Sequence, residues 1–291
     1  MRLAVIVIVA LALQAVTPAG EQGRLAGFVS EYQVARGDTW TSIGARAGVA
    51  ASTLAARNGR SVDMRLREGE TVAIDARHIV PANPSGASIL INVPQRVLFH
   101  FREGVFDAHF PVAVGRRDWP TPLGPFSIRV REENPTWDVP VSIQEEMRRE
   151  GHRVLTTVPP GPDNPLGRHW LGLTLPGVGI HGTNVPSSIY RSTTHGCIRM
   201  HPDDVASLFG TVAVGDTGRT IYEPVLVAAL PDGRVFLEVH PDFYRRVPDP
   251  LDLAIDLLDR AGVLDRVDRR AVARVVAARE GIAIELALSP S

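Results

Sequence analysis

No lysine occurs in the 291-residue chain; all 31 basic residues are arginine. Schiff-base chemistry, a Ser-Lys dyad and a Walker-type phosphate lysine each need an ε-amine, so all three are excluded. Neither charge sign is in excess, with 31 basic and 32 acidic residues. That leaves no electrostatic footprint for nucleic acid and no basic stripe for an anionic membrane. Apolar length is short as well. The run from Leu3 to Leu13 falls below the roughly 20 residues needed to span a bilayer. Arg2 precedes it and Thr17-Pro18-Ala19-Gly20 follows it, which reads as an export signal cleaved after Ala19 or Gly20 and leaving no stable membrane anchor. Cysteine is reduced to one residue, Cys197, so no intrachain disulfide can form and no lipid-bearing cysteine stands at the cleavage site. An exposed thiol is a liability in an oxidising compartment. Cys197 is therefore either a small buried hydrophobe or a group kept for its chemistry.

Beyond the signal, residues 30–76 form a compact pattern. Tyr32-Gln33-Val34 alternates like a strand, and Asp38 or Thr39 can cap a helix carrying Ile43. A second helix starts near Ser52, and Leu66 to Ile74 returns as a strand. Residues 77–86, with Pro81, Pro84 and Gly86, have linker composition. From 87 to 222 the chain is a succession of short extended runs broken by Gly and Pro: Ile89 to Val93, Arg96 to Phe101, Val105 to Val114 and Phe126 to Ile128. Ser142 to Gly151 is its one helical stretch. In residues 223–291 a Pro231-Asp232-Gly233 turn joins two strands. Helical stripes over Leu251 to Ala261 and Val267 to Arg279 follow, and then a closing strand over Ile282 to Leu288.

Tyr32-x-Val34-x-x-Gly37-Asp38-Thr39, Ile43, Val49, Leu54, Asn58, Leu66-x-x-Gly69 and Ile74 resemble a LysM module. The resemblance implies binding of N-acetylglucosamine-containing glycan.

Chemistry concentrates in Gly179-Ile180-His181-Gly182-Thr183-Asn184 and Ser192-Thr193-Thr194-His195-Gly196-Cys197-Ile198-Arg199-Met200. An unperturbed thiol is only a few per cent ionised near neutral pH, so a nucleophilic cysteine needs a nearby base. His181 and His195 are both candidates, and spacing does not choose between them. Gly196 leaves room for a close backbone approach, as in an oxyanion hole built of amides.

The pattern resembles the L,D-transpeptidase family, with support from Pro111-Val112-Ala113-Val114-Gly115, Thr121-Pro122-Leu123-Gly124 and Asn164-Pro165-Leu166-Gly167. Carried over, the resemblance implies Cys197 as nucleophile, His181 as base and the Gly182 backbone as orienter of the imidazole. It also implies that His195, Gly196 and Thr194 shape the site. Arg199 has two readings, a grip on a substrate carboxylate or a structural ion pair. Many members have Ser at Thr194 and Gly at Tyr190, and the tyrosine is expected to reshape the loop before the nucleophile.

The fold expected is mainly β: a βααβ LysM module, a β-sandwich-like catalytic domain and a small mixed α/β C-terminal subdomain. The resemblance implies an extracytoplasmic, wall-associated enzyme of a carbapenem-acylated class. Its partners are peptidoglycan stem peptides and glycan, with a wall-attached protein as a further acceptor. No metal or cofactor is expected. His201-Pro202-Asp203 and His240-Pro241-Asp242 read as turns. Two other functions fit the same residues: an L,D-carboxypeptidase or amidase that uses water as acceptor, and an inert glycan-binding wall protein.

Overall fold

The computed structural model describes residues 23–288; the expected export signal lies outside them. No helix among the described residues is long and apolar enough to cross a membrane. The N-terminal module runs β1 (Val29–Gln33), α1 (Trp40–Ala47), α2 (Ala51–Arg57) and β2 (Thr71–Asp75), with β1 and β2 antiparallel. Thr39 starts α1 with a reciprocal capping box through Ser42, which satisfies two otherwise free amides. Trp40, Ile43 and Leu54 close over Val72 and Ile74, and the same core takes in Ile282 from the far end of the chain. The module therefore packs on its neighbours. His78 and Ile79, inside the stretch of linker composition, pair with Leu25–Ala26 and are buried.

The central domain contains β3 (Ile89–Asn92), β4 (Val97–Arg102), β5 (Val105–Gly115) and β6 (Gly124–Glu133), followed by α3 (Val141–Arg149). Then come β7 (His169–Leu173), β8 (Gly179–His181), β9 (Ser192–Thr194), β10 (Ile198–Met200), α4 (Pro202–Thr211) and β11 (Thr217–Ile221). The strand order is β9-β5-β10-β8-β7-β6-β11-β3-β4, and β4 also pairs with β5. Eight strands thus close on themselves. The two faces of the expected sandwich are continuous through β5, whose 11 residues pair with β4 over Val105 to Pro111 and with β10 over Val112 and Ala113. Closure removes exposed sheet edges. Alternate residues Val112, Val114, Ile128, Leu171, Ile180, Ile198 and Met200 fill the interior. β3 and β4 are buried on both faces because Leu90, Val97 and Phe99 pack outward against Ala45 of α1 and Tyr190.

One sequence expectation is corrected by α4. His201-Pro202-Asp203 is a helix start, not a free turn: His201 is the N-cap, Pro202 occupies the first turn, and Asp203 and Asp204 follow. Proline there loses no hydrogen bond, and acidic residues suit the positive end of the helix dipole. Val205, Leu208 and Val212 seat the helix on the barrel interior.

The C-terminal part has β12 (Val225–Ala229), β13 (Val235–Val239), α5 (Pro250–Arg260), α6 (Arg269–Ala278) and β14 (Ala283–Glu285), with the sheet ordered β12-β13-β14. One sheet face holds Ala254, Leu258, Val272 and Val276 of the helices. From the other face the Glu238 carboxylate projects into a buried junction. Its Oε1 accepts from His78 Nδ1 at 2.7 Å, His240 Nε2 at 2.7 Å and Gln95 Nε2 at 3.0 Å, and its Oε2 accepts from the Ile79 amide. His78 Nε2 lies 2.9 Å from the Gly48 carbonyl. Both nitrogens of His78 thus face oxygen atoms. Burial alone would raise the Glu238 pKa, but the His78 charge and the hydrogen bonds from His240 and His78 hold it down to about 2. His240, read from the sequence as a turn residue, is 2% exposed. Glu238 and His78 together join all three parts of the molecule.

Candidate active site

β8 and β10 run parallel, with Ile180 opposite Ile198 and His181 opposite Arg199. Side chains alternate along a strand, so Ile180 and Ile198 enter the core while His181, Cys197 and Arg199 share the outer face. The topology thus brings the thiol and His181 to adjacent strands. The Gly182 carbonyl accepts from His181 Nδ1 at 2.7 Å, which puts the proton on Nδ1 and leaves Nε2 as the basic nitrogen. Nε2 makes no hydrogen bond among the described residues.

Leu166 O and Val205 Cγ1 each lie 3.3 Å from where a Gly182 side chain would begin, so the orienting backbone is held from both sides. Asn164 fixes that support, because its Nδ2 donates to Pro135 O at 2.9 Å and its Oδ1 accepts from the Leu166 amide at 2.9 Å.

Cys197 is partly exposed, and its Sγ lies 3.7 Å from the Gly177 carbonyl. Burial pushes the thiol pKa up, opposed by the Gly179 amide and by the Arg199 charge. Burial pushes His181 down to about 3, with Arg199 adding repulsion and the Gly182 hydrogen bond opposing. Desolvation disfavours whichever form is charged. The resting pair is therefore a thiol and a neutral imidazole.

His195, the second histidine candidate, turns elsewhere. Its Nε2 pairs with the Glu146 carboxylate, and its ring meets Trp119 edge-on at 4.5 Å. Thr194 Oγ1 donates to Cys197 O at 2.6 Å and accepts from the Gly196 amide at 3.2 Å. The Gly196 amide expected at an oxyanion hole is thus engaged inside the turn, where the φ of +105° favours glycine. Thr121 Oγ1 donates to Gly196 O at 3.0 Å and accepts from the Gly115 amide at 2.9 Å. Tyr244 ties on behind, donating to Gly115 O at 2.7 Å and accepting from the Thr121 amide at 2.9 Å. The C-terminal part therefore supports the turn that carries Cys197.

Arg199 is half-buried, donates to Ser188 Oγ at 2.9 Å and has no carboxylate partner among the described residues. Its Nε is buried without a partner. Of the two sequence readings, the structural ion pair has no acid to supply it.

Tyr190 adopts a left-handed φ of +59°, the conformation for which glycine is the ordinary choice. Its buried ring stacks under Arg96 at 4.3 Å and its hydroxyl donates to Gly281 O at 3.3 Å. The side chain points into the interdomain packing, among Phe99, Ala45 and Ile189.

Sequence reading missed Trp170 and Glu146. The Trp170 ring, 5.9 Å from His181, lies where a Gly179 Cβ would be, 2.2 Å from its nearest atom. Only Gly179 itself hinted at such an approach. An open cleft of about 500 Å³ beside α3 is lined by Trp119, Ser142, Glu145, Arg148 and Arg149; Cys197 is not in its wall.

Comparison with known proteins finds two domains. The model of the YkuD-type L,D-transpeptidase catalytic domain matches residues 86–227, and that of the LysM domain matches 32–75. The probable L,D-transpeptidase YcfS of Escherichia coli is 30% identical over 188 residues, 63% of this chain and 58% of its own length. The putative L,D-transpeptidase YqjB of Bacillus subtilis is 34% identical over 137 residues, 45% and 69% of the respective lengths. A solved L,D-transpeptidase from Mycobacterium smegmatis aligns with a TM-score of 0.37 at 25% identity, covering 46% of this chain and 59% of that one. With His181 on one strand of a closed sheet and Cys197 immediately before the adjacent strand, and with both domain models matched along its length, the chain belongs to the L,D-transpeptidase family and carries a LysM domain.

Proposed function

We propose that this protein is a peptidoglycan L,D-transpeptidase acting outside the cytoplasmic membrane, with Cys197 as nucleophile and His181 as general base. In this reading residues 1–20 are the export signal, 30–76 bind wall glycan, 77–86 connect, 87–222 perform catalysis and 223–291 brace the nucleophile turn.

The thiol proton passes to His181 Nε2 as Sγ attacks the carbonyl between the diamino acid at stem position three and the terminal D-alanine. The amide C–N bond breaks, His181 returns the proton to the leaving amine, and D-alanine departs. An acceptor amine then attacks the thioester, giving its proton to His181. The new amide forms as the C–S bond breaks and the thiol is restored. The acceptor is the side-chain amine of a second stem or an amine of a wall-attached protein. Arg199, with no acid of its own, holds a substrate carboxylate. No cofactor or metal enters the scheme. A cysteine acyl-enzyme of this kind belongs to the class that carbapenems acylate.

The observation that carries the reading is the His181 ring: Nδ1 is fixed on Gly182 O, and Nε2 is left without a partner on the face it shares with Cys197. Mass spectrometry of disaccharide tetrapeptide incubated with the protein, beside a Cys197→Ala control, tests it. Dimers lacking one D-alanine, absent in the control, are expected. Tripeptide alone would make water the acceptor, whereas unchanged substrate with no thioester on Cys197 would leave glycan binding as the function.

A further inference from the structure

Helix α3 lies in the excursion between β6 and β7, residues 134–168, and it is built against the usual rule. Its one buried residue is an acid, Glu146, whereas a helix seated on a protein ordinarily buries an apolar stripe. Among the hydrogen bonds and ion pairs of the described residues, Glu146 alone connects α3 to the barrel. One oxygen pairs with Arg116 Nη2 and the other with His195 Nε2. Arg116 lies over the Trp119 ring at 5.4 Å, and Trp119 closes edge-on against His195. Glu146 thus enters a pocket made by Arg116, Trp119 and His195.

His195 is two residues from the thiol, and the turn that joins them is tightly specified. Thr194 Oγ1 reaches Cys197 O, and Gly196 is held by Thr121. A displacement of the His195 ring is therefore transmitted to the backbone carrying Sγ. We propose that Glu146 is a positioning residue: by anchoring His195 it holds the Gly196-Cys197 turn, so alignment of the thiol depends on the 134–168 segment being seated. The inference rests on Cys197 being the nucleophile. Glu146 does not touch the thiol; it acts through His195. The carboxylate stays ionised for this task, because the Arg116 hydrogen bond, and then that of His195, hold its pKa below the usual carboxylate range against the opposing cost of burial.

A double-mutant cycle on the full chain, Glu146→Ala, His195→Ala and both together, tests the coupling. Two readouts are needed: kcat and KM for D-alanine release from tetrapeptide, and the rate of Cys197 alkylation by iodoacetamide. Glu146→Ala is expected to lower kcat about tenfold with KM within about twofold, while Glu146→Gln, which keeps an acceptor for His195, recovers most of the loss. In the His195→Ala background the Glu146 change should add less than about twofold. Gln144→Ala, which removes a bond inside the segment to Val139 O and leaves the Glu146–His195 anchor in place, should leave kcat within about twofold. Should His195→Ala fail to fold, His195→Gln closes the cycle. Additive losses, equal losses in the Gln and Ala variants, or a loss carried by KM would overturn the proposal. If the wild type releases no D-alanine, the proposed function fails, and the alkylation cycle still decides whether Glu146 positions Cys197.

Discussion

Two histidine sites of this molecule are equally buried and chemically opposite. At the junction of the three parts, His78 is 1% exposed and Glu238 is fully buried, and both nitrogens of His78 meet acceptors. At the candidate active site His181 is 4% exposed, yet one nitrogen is fastened to Gly182 O and the other is left without a partner. Saturated partners turn a buried ionisable group into an element of structure. A nitrogen left without a partner, on the sheet face that also carries the thiol, leaves the same residue type available as a base.

Substitution should separate the two sites most sharply. Cys197→Ala is expected to abolish turnover, and His181→Ala to lower kcat about 10³-fold, each with little change in thermal unfolding. A large loss of Tm in His181→Ala would mean that its role is structural after all. Glu238→Ala should do the reverse. It strands the buried donors of His78, His240, Gln95 and Ile79, which costs about 3–5 kcal/mol in denaturant unfolding, while any correctly folded fraction keeps its alkylation rate at Cys197.

The pH dependence divides the sites next. The Glu238 pKa is depressed in the folded protein to about 2, from an ordinary 4.5. Its contribution to stability is therefore complete above about pH 4.5 and is lost as pH falls toward 2. Urea unfolding followed between pH 6 and 3 should show that decline, and Glu238→Gln should flatten it. His181, held down to about 3, stays neutral through the range where an ordinary histidine titrates. The acid limb of kcat/KM is accordingly expected well below pH 6.5, and a limb at 6.5 would show that the base is solvated in the working enzyme. On the alkaline side, burial raises the Cys197 pKa, so its iodoacetamide reaction should climb only above the range of a free thiol.

The smallest effect concerns the wall of the site. A methyl group at Gly179 would sit 2.2 to 2.5 Å from the Trp170 ring. Gly179→Ala should displace that ring and slow Cys197 acylation by about tenfold, with near-normal stability because the indole lies outside the barrel interior. An unchanged rate would remove Trp170 from the site's working geometry.

Much of this was legible in the residues. The βααβ order, the strands of the first barrel half and the α3 helix follow from alternation, caps and glycine punctuation, which act within a few residues of sequence. Cys197 and His181 were nameable because thiol chemistry needs a base, although spacing alone left His195 as an equal rival. The α4 helix was missed because His201-Pro202-Asp203 serves a turn and a helix start equally well, and only the seating of Val205 and Leu208 decides. Glu146, Trp170 and Tyr244 carried no local signal, since each reaches its partner across 11 to 129 residues of chain.

What the sequence determined by itself is the inventory: a lysine-free chain with one thiol, no disulfide, a glycan-module pattern and two candidate histidines. Tertiary structure decided which histidine pairs with Glu146 and which stands on the strand beside Cys197, that Tyr190 faces the interior, and that the C-terminal part reaches under the turn carrying Cys197. Local propensities are short-range, whereas the state of a buried imidazole, thiol or carboxylate depends on desolvation and on partners that only chain closure brings within hydrogen-bonding distance.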